Sequence, residues 1–310
     1  MTASVGIVVP TYNSCHHLEK CLKPLMQSSL TPRILVIDSS SQDGTVDEAK
    51  KMGLETLTIR QKHFNHGLTR ELARKHLETD IVVMVTPDAY ATGIDSLDRL
   101  VQPVQSGRAS LAYGRQLPRP GSGEIEAFLR LFNYPDHSHI RGMEDAALYG
   151  VYLCFCSNSF AAWSQKALDE VGGFRATLTA EDTFAAARLL RAGHQIAYVA
   201  EATVHHSHCY SLKQEFQRYF DTGYVRNQQQ ELIDFGAADS GRGKQFSKEL
   251  THFVWAKRPW MLPYVWANLM AKWLGYQIGR RGSKLSTSLA QSLSAQPYYW
   301  QSIAYERAEA

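Results

Sequence analysis

The sequence predicts an α/β fold with a mostly parallel central sheet and a helical C-terminal extension. Three observations carry this. Short apolar runs, rich in β-branched residues, recur through the first 90 positions, most plainly at Ile81–Val85. They alternate with segments whose apolar residues return at helical spacing, the pattern of β-α-β units joined by right-handed crossovers. After Gly236 the composition changes, and four of the six tryptophans fall between residues 253 and 276.

Taken in order, Val5–Pro10 reads as a first buried strand, stopped by its proline. Asn13 or Ser14 is suited to cap the helix that follows. That helix spans about His16 to Gln27, with Leu18, Cys21, Leu22, Leu25 and Met26 on one face. Arg33–Ile37 is a second strand ending at Asp38. The turn chemistry of Ser39–Thr45 then leads to a helix with Val46, Ala49 and Met52 inward and Gly53 beyond its end. Leu54–Ile59 is a third strand, Gly67–Leu77 a helix, and Ile81–Val85 a strand buried on both faces. Further on, Glu181-Asp182 opens a helix with Phe184, Ala187, Leu189 and Leu190 inward, ending before Gly193.

The chain has 310 residues, enough for one large α/β domain plus an appendage. A net charge of +3 gives no argument for nucleic acid. Five cysteines without a CxxC pair favour a reducing compartment. The first residues run straight into a strand without the features of a signal peptide, so a cytoplasmic location is expected.

Ligands of open α/β sheets bind beyond the carboxyl ends of the strands. Asp38 and Asp88 stand at two such ends. Asp88 is suited to hold a divalent cation against a nucleotide diphosphate; alternatively it caps the helix starting near Gly93. The position after the first strand holds Pro10-Thr-Tyr-Asn13 in place of GxGxxG or a P-loop, which excludes a dinucleotide-binding Rossmann domain and a sugar-phosphate nucleotidyltransferase. Three histidines fall within His205-His206-Ser207-His208. If this is strand, His206 and His208 share a face.

Pro10-Thr-Tyr-Asn13, the Asp38–Thr45 run and the Pro87-Asp88 strand end together resemble the family 2 glycosyltransferases, which have a GT-A fold. Further segments resemble their rhamnosyltransferase branch, which builds bacterial surface polysaccharides. These are Phe64–Arg70, Tyr113–Pro120, Leu131–Pro135, Ala180–Asp182 and Val204–Ser211, continuing to Phe216–Asp221. The resemblance covers residues 5 to about 225. It implies an inverting, metal-dependent transfer of a sugar, with L-rhamnose from dTDP-β-L-rhamnose as the preferred donor and a UDP- or GDP-sugar as the alternative. A non-catalytic glycan-binding scaffold is disfavoured by the intact Asp38, Asp88 and Asp182.

Residue by residue, the resemblance puts Pro10, Thr11 and Asn13 beside base and ribose, with Asp38 accepting a pyrimidine N–H. His66, Gly67, Arg70 and Pro87 join the nucleotide-sugar site. Asp88, with His206 first and His208 in reserve, would hold Mg2+ or Mn2+. The motif keeps one carboxylate where the family at large has two, so the metal would depend on the diphosphate. Asp182 is the expected base, kept ionised by the helix dipole. Glu181 is its neighbour, touching acceptor or backbone. Arg115, Arg119 and Asn158 are candidate sugar or acceptor contacts, and the polar loop 137–145 is expected to order only around substrate.

The expected organisation is a catalytic domain at 1–235, with a nucleotide half to about 92 and an acceptor half from 93, followed by an extension at 236–310. Residues 237–244 read as a linker. In the extension, Pro259, Pro263, Asn268 and Lys272 interrupt any spanning helix, while Lys257, Arg258, Arg280, Arg281 and Lys284 flank aromatic stretches. That is the pattern of a segment lying in a membrane interface, here the cytoplasmic face of the inner membrane, where a lipid-linked oligosaccharide acceptor would be met. Packing on the catalytic domain or a dimer partner is the alternative.

Overall fold

The computed structural model describes residues 3–236 and 240–302. The strands are β1 (Val5–Thr11), β2 (Arg33–Asp38), β3 (Glu55–Thr58), β4 (Ile81–Val85), β5 (Tyr90–Ala91), β6 (Leu111–Leu117), β7 (His139–Arg141), β8 (Phe160–Ser164) and β9 (Ile196–His205). In the catalytic region the helices are α1 (Cys15–Met26), α2 (Thr45–Lys51), α3 (His66–Leu77), α4 (Ser96–Gln105), α5 (Glu124–Asn133), α6 (Ala146–Tyr149), α7 (Gln165–Glu170), α8 (Glu181–Arg191), α9 (Leu212–Gln228) and α10 (Gln230–Ile233). The C-terminal helices are α11 (Ser240–Lys257), α12 (Leu262–Gly279) and α13 (Thr287–Leu293).

The described strands form one sheet in the order β3-β2-β1-β4-β8-β6-β9-β5, with β7 also on β9. The first four strands are mutually parallel, as is the long β6–β9 pair. Antiparallel β8 joins the two halves, and the short β5 and β7 line the far edge of β9. The continuous apolar character of β4 has a simple cause. Ile81, Val83 and Val85 pack with Leu18, Leu22 and Leu97 on one face, while Val82 and Met84 pack with Ala73, Leu77 and Leu189 on the other.

One irregularity of the sheet positions the site. Along β6–β9, Gly114 pairs with Val199 but Arg115 pairs with Thr203, so Ala200–Ala202 bulge out. A Cβ on Gly114 would meet the Ala202 carbonyl oxygen at 2.5 Å, so only glycine fits beside the bulge. The bulge redirects the end of β9 toward the β4–β5 loop.

Two local expectations are corrected, the cap of α1 and the linker before α11. The α1 N-terminus is capped from across the turn: the Cys15 N–H donates to Asp43 Oδ2 at 2.9 Å. Ser14 points its hydroxyl at the Tyr12 carbonyl, and Asn13 accepts from Gln42 N–H. The loop 137–145 is anchored through β7, where buried Arg141 donates to the carbonyls of Leu153 and Phe155 and to the Tyr113 hydroxyl. Residues 240–244 of the expected linker open α11; 237–239 lie outside the described residues.

The C-terminal helices share the catalytic region's packing. Leu250 and Val254 of α11 and Leu262 and Val265 of α12 pack with Ile125 and Phe128 of α5. Gly275 and Gly279 let α12 lie directly on α9: added Cβ atoms would come within 2.3 Å of the Phe216 carbonyl and 2.1 Å of the Phe220 carbonyl. The outer side of α12 is aromatic. Trp266 and Trp273 are 60% and 57% exposed, while Asn268 and Lys272 on the inner side are buried. No helix among the described residues is long and apolar enough to cross a membrane.

Candidate active site

Asp88 follows β4 in a tight turn that begins at Thr86. The redirected end of β9 brings two imidazoles to it: His206 Nε2 lies 3.5 Å from Asp88 Oδ1, and His208 Nε2 lies 3.4 Å from Oδ2. The two Nε2 atoms are 3.0 Å apart. The three candidate ligands therefore meet, though strand alternation is not the reason, since β9 ends at His205 and the convergence arises in the loop beyond it.

Second neighbours fix this cluster. His206 Nδ1 lies 2.9 Å from Gln116 Oε1, so the Nδ1–H donates to the amide and Nε2 is left with its lone pair toward Asp88. Arg119 donates to Asp88 Oδ2 at 3.1 Å and stacks near Tyr90. Burial pushes the Asp88 carboxyl upward, but its contacts with His206, His208 and the Arg119 guanidinium outweigh it and hold it well below the usual carboxylate range. Burial lowers His206, and burial plus the neighbouring His206 pushes His208 down to about 4. Neutral imidazoles beside an ionised carboxylate are the protonation states of metal ligands.

A second group lies beyond the start of β8, the strand paired with β4. Asp182 at the start of α8 accepts the Asn158 N–H at 3.0 Å and the Thr183 N–H at 2.7 Å. Glu181 is buried and bound by Arg70 at 2.6 Å and by the Asn158 side chain at 3.1 Å. Asn158 is locked in turn by the Trp163 indole N–H at 2.9 Å. Burial and the Glu181 charge push the Asp182 carboxyl up to about 6, against the downward shift expected from the helix dipole; it is still largely ionised at pH 7. Burial pushes the Glu181 carboxyl up, but Arg70, His66 and the Asn158 hydrogen bond together outweigh it and hold it below its ordinary value. The two groups are joined through Gln116, whose amide N–H donates to Ser157 Oγ at 2.9 Å, one residue before Asn158.

Several predicted residues have other placements than expected. Arg70 is buried, and its partner is Glu181. Gly67 is a packing glycine, since a Cβ there would lie 1.9 Å from the Arg175 carbonyl and 3.3 Å from Glu181. His66 lies 3.3 Å from the Arg70 guanidinium. The Phe64–Arg70 segment thus braces the carboxylate pair. Asp38 is fully buried, its carboxylate accepting from Thr11 Oγ1 at 2.9 Å and from Ser41 N–H at 2.8 Å and Ser41 Oγ. It orders the loop below the exposed Tyr12 and Asn13 and offers no accessible oxygen to a base in this arrangement. Pro10 and Pro87 are half-buried at the ends of β1 and β4. Glu181 is held by the side chains of Arg70 and Asn158 and by a backbone N–H. Asn158 organises the carboxylates and Arg119 pairs with Asp88, while Arg115 sits past the bulge, where its charge acts on Tyr198 and Glu201.

Gln116 was missed from the sequence. Its only signal is an amide on the same strand face as Ala112 and Gly114, a polar residue with apolar companions.

The sheet topology, with a carboxylate–imidazole cluster and a buried carboxylate pair beyond its strand ends, is that of a GT-A fold. The comparisons agree: the model for glycosyl transferase family 2 matches residues 6–172, and that for glycosyl transferase family group 2 matches residues 93–280. The chain belongs to glycosyl transferase family 2 and is a glycosyltransferase. It is 36% identical over 306 residues to the O-antigen chain rhamnosyltransferase RfbN of Salmonella typhimurium, and 35% identical over 313 residues to the O-antigen chain rhamnosyltransferase WbaN of Salmonella anatum. Each alignment covers 97% of both chains. The mannosyltransferase PcManGT of Pyrobaculum calidifontis, solved with GDP-Man and Mn2+, superposes with a TM-score of 0.58 at 17% identity, covering 99% of this chain and 87% of that one.

Proposed function

We propose that this glycosyltransferase moves L-rhamnose from dTDP-β-L-rhamnose, with inversion, onto a lipid-linked glycan acceptor in surface polysaccharide synthesis. The observation that carries the reading is the end-to-end similarity to two O-antigen chain rhamnosyltransferases, which includes the C-terminal helices.

Asp88, His206 and His208 fit a divalent cation. Carboxylate and diphosphate oxygens suit Mg2+ and Mn2+, and two imidazoles favour Mn2+ of the pair. When bound, the cation neutralises charge on the leaving diphosphate. Asp182 takes the proton of the acceptor hydroxyl as that oxygen attacks the anomeric carbon from the face opposite the leaving group. Its two N–H donors hold the carboxylate in one orientation, leaving its remaining lone pairs for the acceptor. Arg70 and Asn158 fix Glu181, whose charge keeps Asp182 basic enough to accept a proton near neutral pH. Tyr12 and Asn13, exposed at the end of β1, are the groups best placed to meet the nucleoside.

The aromatic outer face of α12 supports a membrane-interface role: an apolar stripe turned away from its own protein needs another apolar surface. Exposed Arg280, Arg281 and Lys284 lie just beyond the helix, suited to anionic headgroups, whereas Lys257 and Arg258 are engaged with Glu124.

The test is nucleotide release from a panel of dTDP-, UDP- and GDP-sugars with a lipid-linked acceptor, followed by product stereochemistry. dTDP-L-rhamnose should be the best donor and Asp182→Asn nearly inactive. A better rate with a UDP- or GDP-sugar would refute the donor, and equal rates for wild type and Asp182→Asn would refute the base.

A further inference from the structure

We infer that the cavity beside His208, walled by Arg130, Arg218 and Lys272, is a phosphate-binding subsite for a phosphoryl or diphosphate group of one of the two substrates. This deepens the reading above, because it rests on a donor or acceptor that carries such a group.

The cavity has a volume of about 160 Å3 and lies between α5, the loop after β9, α9 and α12. Its cations outnumber the carboxylates free to answer them. Glu215 lies 3.3 Å from Lys272 Nζ and 3.6 Å from Arg218, so it serves both. Glu126 is engaged at the start of its own helix, where it accepts the Gly123 N–H at 2.7 Å. Arg130 makes no side-chain hydrogen bond or ion pair with a described residue, and it lines the cavity together with His208.

Lys272 is the telling residue. Its side chain is 5% exposed, and its ammonium has no well-aligned hydrogen-bond acceptor despite the nearby Glu215. A buried ammonium with three N–H donors and one poorly aligned carboxylate lacks acceptors. A phosphoryl group supplies several oxygens to an ammonium and two guanidiniums at once. Two substrates can bring one here. His208 lines both the cavity and the Asp88 cluster, which places a donor diphosphate next door. Lys272 comes from α12, whose outer face is aromatic, which places a lipid-linked diphosphate equally near.

The test is calorimetric binding of inorganic pyrophosphate to the full chain in EDTA, with no turnover required, so it stands apart from the identity of the donor sugar. Wild type should bind. Arg130→Gln and Arg218→Gln, on half-exposed residues, should each weaken binding about ten-fold while melting like wild type, and Lys272→Met should weaken it further. Asp88→Asn should bind as wild type does, separating the pocket from the metal cluster. Displacement by dTDP alone assigns the pocket to the donor; displacement by farnesyl diphosphate alone assigns it to the acceptor. No pyrophosphate binding by wild type, or binding undiminished in Arg130→Gln and Arg218→Gln, overturns the inference.

Discussion

The imidazole of His206 donates through Nδ1 to the side-chain carbonyl of Gln116, 2.9 Å away, and this bond turns its Nε2 toward Asp88. Gln116→Leu removes the acceptor and frees the ring to change tautomer and rotate. Partners of metal-binding histidines typically contribute 10- to 100-fold to metal affinity. The Mn2+ concentration giving half-maximal activity should therefore rise by about that factor in Gln116→Leu, at little cost to the melting temperature. An unchanged Mn2+ requirement would remove Gln116 from the site.

The cluster itself makes a metal prediction. EDTA should abolish transfer, and Mn2+ should restore it at lower concentration than Mg2+ because two of three protein ligands are imidazoles. Asp88→Asn should cost more than His208→Ala, since Asp88 supplies the only carboxylate among the described residues of the cluster. Metal binding followed with and without dTDP tests whether the diphosphate completes the site.

Asp182, raised to about 6, should give the rate an acid limb near that pH, with activity falling as protonation removes the base. Asp182→Asn should lose about 10^2- to 10^4-fold at pH 7.5. Glu181→Gln removes the charge that raises Asp182, so the acid limb should move to lower pH. A limb that stays in place, measured as kcat against pH, would argue that Asp182 is not the group titrating.

Arg70 and Glu181 form an ion pair with 5% and 7% exposure. Arg70→Met strands a buried carboxylate and should destabilise the fold by about 3–5 kcal/mol. The double variant Arg70→Met/Glu181→Gln should recover much of that loss. Denaturant melts of the single and double variants measure it, and equal losses would mean that the pair is not coupled.

Trp266→Ser/Trp273→Ser should cut binding to anionic vesicles about ten-fold or more without lowering the melting temperature, since both side chains are exposed. Unaltered vesicle binding would leave the aromatic face without its proposed partner.

The parallel half of the fold was legible because its signals are local. β1, β2 and β4 are apolar runs, and each helix between them has its own periodicity. Asp88, His206 and His208 could be brought together from strand ends and a short histidine-rich stretch. What escaped depends on distant chain meeting distant chain. No periodicity relates Arg70 to Glu181, 111 residues apart, or Gln116 to His206, 90 residues apart. The depth of Asp38 cannot be read from a strand end. In the fold, Thr11 and Ser41 close over it. At Asp182 a helix start suggests a lowered carboxyl, but burial beside Glu181, invisible in the sequence, raises it.

The seating of α12 on α9 leaves the helix no freedom to slide, because a shift would drive side chains into the Phe216 and Phe220 carbonyls now faced by Gly275 and Gly279. Lys272 and Trp273 are adjacent in sequence yet one is buried and the other exposed, so the two sides of α12 are separated by about one helix diameter, roughly 10 Å. The helix is in effect a ruler. With its tryptophans resting on a membrane as proposed, the reaction centre would stand at a set height above it, and a proposed lipid-linked acceptor with a longer spacer between anchor and sugar would overshoot.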